Sequence, residues 1–520
     1  MQSRLLWHSY LHLQALFNLP TYLTMSNTTY LLSLDQGTSS CRSIVFSPKG
    51  DVVAKAQVEL KQIYPQPGWV EHDPQEIWSS QLATARQVLQ QSGLSAKQIA
   101  AMGITNQRET TVVWRRDTGQ AIYNAIVWQD RRAEPECLRL REAGFAPMVQ
   151  QKTGLVLDAY FSATKLQWIL DNIPNARAMA EAGQLAFGTV DTWLMWQLSG
   201  GAVHATDVSN AARTMLFNVH THRWDDELLA LFRIPASVLP QVQASASHFG
   251  TAQAQWLGSD MSIGGVAGDQ QSALFGQACF QAGQVKNTYG TGCFMLMHTG
   301  AQFQTSHNGL ITTSAAQVDN KPAFALEGSV FIGGAVVQWL RDGLRAFDTS
   351  ADVQALAQSV PDSGGVVLVP AFTGLGAPYW QADARGAMVG LSRGTTMAHI
   401  ARAALESIAF QSTALLQAMN RDAATPVTEL RVDGGACVND LLMQFQADLL
   451  GIPVLRPAVV ETTALGAAYL AGLSAGVYLS TDELANQWRV ERSFEPLISR
   501  DQAQSLMANW EKAVRQTVAN

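Results

Sequence analysis

The chain has 520 residues, 47% of them hydrophobic and 15% charged, and its 35 basic and 42 acidic residues leave a net charge of −7. A chain of this length is too long for one hydrophobic core, so we expect more than one globular domain. The net charge is negative and the basic residues form no run, which argues against nucleic acid as a main partner.

Five cysteines are scattered along the chain, and no two of them form a C-x-x-C pair. An odd number without short spacings predicts neither a disulfide framework nor a zinc site of standard spacing. We therefore expect a cytoplasmic protein whose cysteines are small buried residues.

The N-terminal segment is apolar but lacks the features of a signal peptide. Residues 5–34 contain no Asp, Glu, Lys or Arg, yet His8, His12 and Pro20 interrupt the apolar run and no small-residue cleavage site follows. Met25 lies a few residues before the first predicted strand. We expect that translation starts at Met25 and that residues 1–24 are a non-native or disordered extension.

In chain order, the first predicted elements are strands at residues 31–34, 42–46 and 51–60, with the pattern of an antiparallel meander. The turn between the first two contains Gly37 and several hydroxyl side chains. Glycine permits a sharp turn whose amide groups approach an anion closely, and Asp35 beside it could hold a hydrated metal ion. A plain hairpin with a hydroxyl-rich turn explains the same residues.

A helix and two further strands complete this first unit. Asp73 is a predicted N-cap, with Pro74 at the first helical position. A buried strand over residues 99–105 ends in the polar run 106–109, and residues 110–115 form the next strand. Together these elements predict one α/β unit.

The second half repeats this pattern around a second glycine-hydroxyl turn, Gly290-Thr291-Gly292. Glycine turns and helical periodicity place further elements behind it. The predicted strands are 284–289, 293–298, 323–328 and 430–433, and the predicted helices are 332–345, 396–419 and a helix from Val438 that stops at Gly451.

A long uncharged stretch, residues 462–481, contains Gly, Ser, Thr and Tyr at several positions. It is too polar for a good membrane span. The pattern predicts a small-residue helix packed in a core, followed by a turn, and no membrane span.

Two α/β units with one such turn each indicate a duplicated architecture. Two turns that face each other across a cleft would hold the phosphates of one nucleotide from both sides. We expect an N-terminal domain over residues 25–276 and a C-terminal domain over residues 277–520, with the boundary between Phe275 and Lys286.

Several segments, in the same order, resemble the FGGY carbohydrate kinases from about Tyr30 to the C-terminal helix. Residues 160–172 match one family signature and residues 386–406 match the other. The other matching segments are Asp35-Gln-Gly-Thr, Gly103-Ile-Thr-Asn-Gln-Arg-Glu-Thr110, Gly268-Asp-Gln-Gln271, Asn287-Thr-Tyr-Gly-Thr-Gly-Cys-Phe294 and Arg431-Val-Asp-Gly-Gly435.

The resemblance implies an α/β fold of two ribonuclease-H-like domains, of the actin and hexokinase type, around a nucleotide-binding cleft. It also implies an enzyme of glycerol uptake and catabolism that phosphorylates glycerol to sn-glycerol 3-phosphate with ATP and Mg²⁺. Phosphoryl transfer requires positioning and charge neutralisation around an in-line displacement. We expect a homo-oligomer, either a dimer or a tetramer.

The same resemblance assigns roles to individual residues. Asp269 would be the general base, and Asp35 would hold Mg²⁺ through water. The implied glycerol ligands are Arg108, Glu109, Trp128, Tyr160, Asp269, Gln270 and Phe294. The implied nucleotide ligands are Ser39, Ser40, Cys41, Arg42, Thr291, Gly334, Gln338, Gly435, Ala436 and Asn439.

Without the resemblance, other interpretations remain open. Arg108 and Glu109 could form a solvated surface pair, Asp269 could be a turn residue, and Asn439 could be a simple N-cap. Two rival functions also remain: a related kinase of xylulose, ribulose or gluconate, and a non-enzymatic actin-like or chaperone-like ATPase.

One departure from the family pattern generates a prediction. Some members carry a basic, glycine-rich loop shortly before the Gly-Asp-Gln motif that binds fructose 1,6-bisphosphate, whereas this chain has Asp260 in that loop. Because the carboxylate would repel a bisphosphate, we predict no strong inhibition by this sugar at physiological salt. Steady-state inhibition assays check this, and a steep inhibition curve that a substitution of Asp260 abolishes would contradict it.

Overall fold

The computed structural model describes residues 29–381 and 383–518. The predicted start at Met25 and the extension 1–24 lie outside these residues. Two large mixed β-sheets, of six and seven strands, form the centres of two lobes. No helix of the described ranges is long and apolar enough to cross a membrane.

The strands of the first half form the six-stranded sheet and several two-stranded ribbons. They are β1 (Tyr30–Gln36), β2 (Ser40–Phe46), β3 (Val52–Glu59), β4 (Glu71–His72), β5 (Ile99–Asn106), β6 (Val112–Arg115), β7 (Ala125–Ile126), β8 (Leu185–Gly188), β9 (Ala205–Asp207), β10 (Phe217–Asn218), β11 (Arg223–Trp224), β12 (Gln241–Gln243), β13 (Ala246–Ala252) and β14 (Met261–Gly268).

The strands of the second half form the seven-stranded sheet and one further ribbon. They are β15 (Val285–Tyr289), β16 (Cys293–Gly300), β17 (Ile311–Ser314), β18 (Phe324–Val330), β19 (Val367–Val369), β20 (Ala387–Val389), β21 (Leu430–Asp433), β22 (Val454–Pro457) and β23 (Val490–Phe494).

Helices cover both sheets, and short 3₁₀ turns connect some of them. The α-helices are α1 (Pro74–Ser92), α2 (Glu134–Glu142), α3 (Ala146–Thr153), α4 (Ser162–Asn172), α5 (Ala176–Glu181), α6 (Val190–Leu198), α7 (Val208–Ala211), α8 (Asp226–Leu231), α9 (Ala254–Leu257), α10 (Asp269–Gly276), α11 (Ala335–Asp342), α12 (Asp352–Gln358), α13 (Met397–Asp422), α14 (Asp440–Leu450), α15 (Thr462–Ser474), α16 (Thr481–Gln487) and α17 (Arg500–Val518).

The two large sheets share one strand order. In the first, β3-β2-β1 is an antiparallel meander, and β5 and β14 continue it parallel to β1. In the second, β18-β16-β15 is an antiparallel meander, and β21 and β22 continue it parallel to β15. The predicted duplication is confirmed in strand order and direction.

Some predicted elements differ from the structure. The strand predicted over residues 110–115 is β6, which pairs with β8 and not with the six-stranded sheet. The sequence predicts Val438 on the buried face of a helix, but its side chain is 63% exposed. The physical reason is the cap: Asn439 accepts a hydrogen bond from Leu442 N, so α14 begins only at Asp440.

The predicted small-residue helix is α15, and it joins the two halves of the chain. A Cβ on Gly103 of β5 would collide with the carbonyl oxygen of Ala467, and a Cβ on Gly466 would collide with that of Ser272 in α10. Small side chains therefore let the backbone of α15 lie directly against the first sheet and α10. This packing crosses the proposed domain boundary at Gly276.

We predict that Gly103→Ala lowers the free energy of unfolding by about 1–3 kcal/mol, because the added methyl group must displace backbone. Urea unfolding followed by circular dichroism measures the change. Gly394→Ala is the control, since its nearest neighbouring atom would be 3.8 Å from the new Cβ. Equal losses in both variants would contradict the close-packing explanation.

Candidate active site

Three parallel strands of the first lobe end at one edge of their sheet. In the register of β1, β5 and β14, Gln36, Asn106 and Gly268 lie side by side. Arg108 and Asp269 follow these strand ends and are therefore neighbours, although they are far apart in sequence. Ligands of open α/β sheets bind at the carboxyl ends of strands, so this edge is the candidate active site.

The first predicted turn joins β1 to β2, and an ion pair spans it. Arg42 Nη2 lies 2.6 Å from Asp35 Oδ2, and Arg42 Nη1 donates to Glu461 Oε2 at 3.0 Å. Glu461 also pairs with Lys55. Burial raises the pKa of the Asp35 carboxyl, while the Arg42 guanidinium opposes that rise. The turn thus presents basic side chains beside a buried carboxylate.

Three predicted nucleotide ligands follow Gly37 in this turn. Ser39 is exposed and Ser40 is half-buried, and the Ser40 hydroxyl accepts a hydrogen bond from Gln57 Nε2 at 3.3 Å. Cys41 is fully buried, and burial raises the pKa of its thiol. The alternation of β2 turns this side chain into the core, which confirms the predicted burial of this cysteine and leaves only its main chain for a ligand.

The second predicted turn has the equivalent place in the second lobe, between β15 and β16. Thr291 at its tip is exposed. Gly333 N donates to Thr291 O and Gly334 N donates to Gly290 O, both at 2.8 Å. These bonds hold the turn against the start of α11.

The predicted adenine ligands begin the elements that follow the strands of the second lobe. The backbone of Gly434 packs so closely on Tyr289 that a Cβ would lie 2.7 Å from the Tyr289 carbonyl oxygen. The end of β21 therefore lies beside the end of β15. The five residues at these element starts are Gly334, Gln338, Gly435, Ala436 and Asn439.

Arg108 and Glu109 lie in a buried cluster of charges. Arg108 donates to Glu327 through two nitrogens, Nη1 to Oε2 at 2.6 Å and Nη2 to Oε1 at 2.8 Å. Arg108 Nε lies 3.2 Å from Asp269 Oδ1. Glu109 accepts from Arg213 Nε at 2.6 Å. The alternative of a solvated surface pair is wrong, since Arg108 is 3% and Glu109 1% exposed.

Arg213 and Glu327 belong to the same buried cluster, and sequence reasoning missed both. Arg213 Nη2 donates to Glu327 Oε1 at 3.1 Å, so Glu327 accepts from two arginines. Burial acts to raise the pKa of Glu327, but Arg108 and Arg213 outweigh it and lower the pKa to about 2. One sequence feature could have revealed Glu327, because it is an ionisable residue in a strand whose other residues predict burial.

Aromatic side chains line the same region. Trp128 Nε1 donates to Thr38 Oγ1 at 2.8 Å, and the Trp128 ring meets the Tyr160 ring edge-on with centroids 5.6 Å apart. Phe294 lies on β16 of the second lobe. All three predicted aromatic ligands are half-buried, so each keeps some ring surface for a ligand.

Two buried lysines each donate to three acceptors. Lys286, which sequence reasoning also missed, donates from Nζ to Gln270 Oε1 at 2.6 Å, to Thr288 Oγ1 at 2.8 Å and to Phe294 O at 3.2 Å. Lys165 Nζ donates to the carbonyl oxygens of residues 159–161. Burial lowers the pKa of Lys286 to about 8 and that of Lys165 to about 7.

Asp130, whose role the sequence leaves open, stabilises the loop beside Trp128. Its Oδ2 accepts from Val70 N at 2.6 Å and pairs with Arg132 Nη2 at 2.8 Å. Arg132 also pairs with Glu71 at 2.6 Å, and its guanidinium lies 3.7 Å from the centre of the Trp69 ring. The carboxylate therefore neutralises a buried guanidinium.

The donor set at the first turn fits Mg²⁺. In phosphate-transferring sites this ion is held by one or two carboxylates together with waters and substrate phosphates, not by a protein cage. Asp35 offers one buried carboxylate, and its Oδ2 makes an ion pair but no well-directed hydrogen bond within the described residues. Across residues 29–381 and 383–518, no group of three His, Cys, Asp or Glu side chains could hold a metal.

Comparison with protein families decides the class. The N-terminal domain of the FGGY family of carbohydrate kinases matches residues 30–276, and its C-terminal domain matches residues 285–475. The chain belongs to the FGGY family of carbohydrate kinases. As an FGGY kinase it is an enzyme, which excludes the non-enzymatic alternative.

Individual FGGY kinases match over nearly the whole chain. Glycerol kinases of Polaromonas sp. and Acidovorax sp. are 72% and 71% identical over 494 residues, which are 94% of this chain and 99% of each relative. A solved structure of Plasmodium falciparum glycerol kinase with ADP matches with a TM-score of 0.88 at 35% identity, over 94% of this chain and 98% of that one. Xylulose kinase of Lactobacillus acidophilus has a TM-score of 0.85 at 23% identity, over 94% and 98% of the two chains, and shares the fold.

The lysine geometry predicts an alkaline limit to activity. With a lowered pKa, Lys286 loses its proton near pH 8 and not near its ordinary 10.5. The neutral amine has two N–H groups for three acceptors, so its hold on Gln270 weakens as pH rises. We expect kcat/KM for the phosphoryl acceptor to fall above about pH 8, and this alkaline limb to be absent in Lys286→Met.

Steady-state pH profiles of the wild type, Lys286→Met and Lys165→Met separate the two lysines. A limb that persists in Lys286→Met and disappears in Lys165→Met would contradict the role of Lys286.

Proposed function

We propose that this FGGY kinase transfers the γ-phosphoryl group of ATP to glycerol and forms sn-glycerol 3-phosphate, for glycerol uptake and catabolism. The observation that carries the proposal is the placement of Asp269. Its side chain is 30% exposed, whereas Arg108 and Glu327 in the same cluster are nearly closed to solvent. Asp269 thus offers an accessible carboxylate beside a fixed guanidinium. The 71–72% identity to proteins named glycerol kinase supports glycerol as the acceptor.

Asp269 is the proposed general base. As the attacking hydroxyl oxygen of glycerol forms its bond to the γ-phosphorus, the carboxylate accepts the hydroxyl proton and ADP leaves with the electrons of the broken P–O bond. Asp269 is the first residue of α10, and its Oδ1 accepts from Gln270 N at 2.7 Å. This contact and Arg108 hold the carboxylate in place.

Arg108 and Glu109 supply a donor and an acceptor for glycerol hydroxyls, and Tyr160 and Gln270 complete the polar set. Because Lys286 occupies the Oε1 of Gln270, the amide nitrogen of Gln270 is left to donate to the substrate. The ring surfaces of Trp128 and Phe294 pack on the carbon edge of glycerol. These polar and apolar groups suit a three-carbon polyol.

The two glycine-hydroxyl turns hold the phosphates of ATP from opposite lobes. Ser39, Ser40 and Arg42 act from the first turn, with the main chain of Cys41, and Thr291 acts from the second. Asp35 would hold Mg²⁺ through water, and the ion, when bound, neutralises phosphate charge. Adenine lies against Gly334, Gln338, Gly435, Ala436 and Asn439.

The proposal includes a division of labour and a location. Residues 25–276 carry the glycerol site and the first turn, and residues 277–520 carry the second turn and the adenine site. The five cysteines are free and buried, which fits a reducing compartment, and we place the enzyme in the cytoplasm as a dimer or a tetramer.

A substrate panel with coupled detection of ADP tests the acceptor. We expect glycerol to give a higher kcat/KM than xylulose, ribulose or gluconate. A preferred sugar, or ATP turnover that is indifferent to glycerol, would overturn the proposal.

Asp269→Asn tests the general base. We expect retained binding of ATP and glycerol by calorimetry, but a kcat at least about 10²-fold lower, because the amide cannot accept the proton. Asp117→Asn on the exposed surface is the control and keeps the wild-type kcat. Near-normal turnover of Asp269→Asn would remove Asp269 from this role.

A further inference from the structure

Glu327 is a carboxylate of the second lobe that lies in the substrate site of the first. It sits in the middle of β18, where its backbone pairs with Leu296 of β16 and Ile311 of β17. Its side chain is fully buried. Burial of a carboxylate in such a place is unfavourable unless opposite charges and hydrogen bonds compensate it.

The two positive charges that contact Glu327 directly both come from the other lobe. The two carboxylate oxygens of Glu327 accept hydrogen bonds from the two terminal nitrogens of Arg108. One of these oxygens, Oε1, also accepts a hydrogen bond from Arg213. Gln271 of α10 strengthens the same seam, since it accepts from Arg108 Nη1 at 3.1 Å and donates to Ser314 O of β17 at 3.2 Å. Arg108, Arg213 and Gln271 of the first lobe thus bind strands β17 and β18 at the edge of the second sheet.

The pairing determines which edge of Arg108 faces the substrate region. A fork-to-fork contact with a carboxylate fixes the plane of a guanidinium. With both terminal nitrogens on Glu327, the Nε edge of Arg108 remains next to Asp269, at 3.2 Å. A guanidinium without this contact could rotate away from Asp269.

Arg213 keeps one donor unused. Its Nε and Nη2 are bound to Glu109 and Glu327, but its buried Nη1 has no hydrogen-bond partner in the part of the chain that the structure describes. The guanidinium carbon lies 5.5 Å from the centre of the Tyr160 ring. A buried donor beside a proposed glycerol ligand is suited to a hydroxyl oxygen of the substrate.

We propose that Glu327 is a positioning residue for the phosphoryl acceptor: it orients Arg108 and Arg213 across the lobe interface and so determines the affinity for glycerol. The inference rests on the proposed function. It adds that a buried carboxylate of the second lobe, which makes no contact with glycerol itself, contributes to acceptor binding. Glu327 does not touch the reacting atoms in this scheme and acts through the two arginines.

The test is the kinetics of Glu327→Gln, which keeps the side-chain shape and removes the charge. We expect the KM for glycerol to rise about 10- to 100-fold, the scale of a lost charge-assisted hydrogen bond, with a smaller change in kcat. The KM for ATP should stay within about twofold. Glu327→Asp keeps the charge on a shorter side chain and should recover part of the glycerol affinity.

Glu406→Gln is the matched control. It removes the charge of another buried carboxylate that pairs with an arginine, Arg402, at 2.7 Å within α13, and it takes no part in the proposed glycerol site. We expect this variant to unfold at a lower temperature but to keep the KM for glycerol. An unchanged KM in Glu327→Gln, or an equal rise in Glu406→Gln, would overturn the proposal.

Two further measurements test the proposal if Glu327→Gln does not fold or if glycerol is not the preferred acceptor. If Glu327→Gln does not fold, Glu327→Asp carries the test, and a wild-type KM for glycerol in that folded variant overturns the proposal. If the wild type prefers another acceptor, the proposed function fails, and the same variants are then measured with that acceptor. A raised KM for it supports the positioning role, and an unchanged KM overturns it.

Discussion

Two arginines of the first lobe share one carboxylate of the second, and the geometry of the buried charge cluster depends on that contact. A buried charge requires a partner, because its loss of hydration is not otherwise compensated. In this cluster Glu327 forms ion pairs with Arg108 and Arg213, and Glu109 forms an ion pair with Arg213. The compensation leaves Asp269, with 30% exposure, as the most exposed carboxylate of the cluster. The ion pairs that compensate these buried charges therefore also fix the orientation of the charged side chains.

The duplicated sheet explains how the two glycine-hydroxyl turns come to occupy equivalent places in the two lobes. Each lobe begins with a hairpin followed by parallel strands, so each presents a turn and two further strand ends at the carboxyl edge of its sheet. The first lobe places Asp35, Arg108 and Asp269 at that edge, and the second places Thr291 and the proposed adenine ligands. One supersecondary arrangement, used twice, thus supplies both the proposed acceptor site and the proposed nucleotide site.

Close backbone packing connects these edges. Helix α15 belongs to the second half of the chain but shares a core with β1, β2 and β5 of the first, and glycines at the contacts remove the side chains that would separate them. At its start, Glu461 reaches Arg42 in the first turn. Helix α15 therefore connects the two lobes both by close backbone packing and by the ion pair at its start.

Local patterns in the sequence were sufficient for the strands of both meanders, both glycine turns, the N-cap of α1, the end of α14 at Gly451 and the small-residue character of α15. These features depend on periodicity and capping within a few residues, so they can be inferred from neighbours in the chain. The resemblance to a kinase family added Asp269 and Arg108 as site residues, because their short motifs are contiguous.

Only the tertiary structure decided which residues complete the site. Glu327 is 219 positions from Arg108 and 114 from Arg213, and Lys286 reaches Gln270 across the lobe boundary. No local pattern carries such contacts, since they arise from the register of two sheets and the docking of one lobe on the other. The same holds for the pairing of β6 with β8. The sequence by itself determined the types of secondary structure and, through its family motifs, the kinase chemistry. The positions of the charged side chains at the candidate site were decided by the tertiary structure, because each buried charge needs a partner that is distant in sequence.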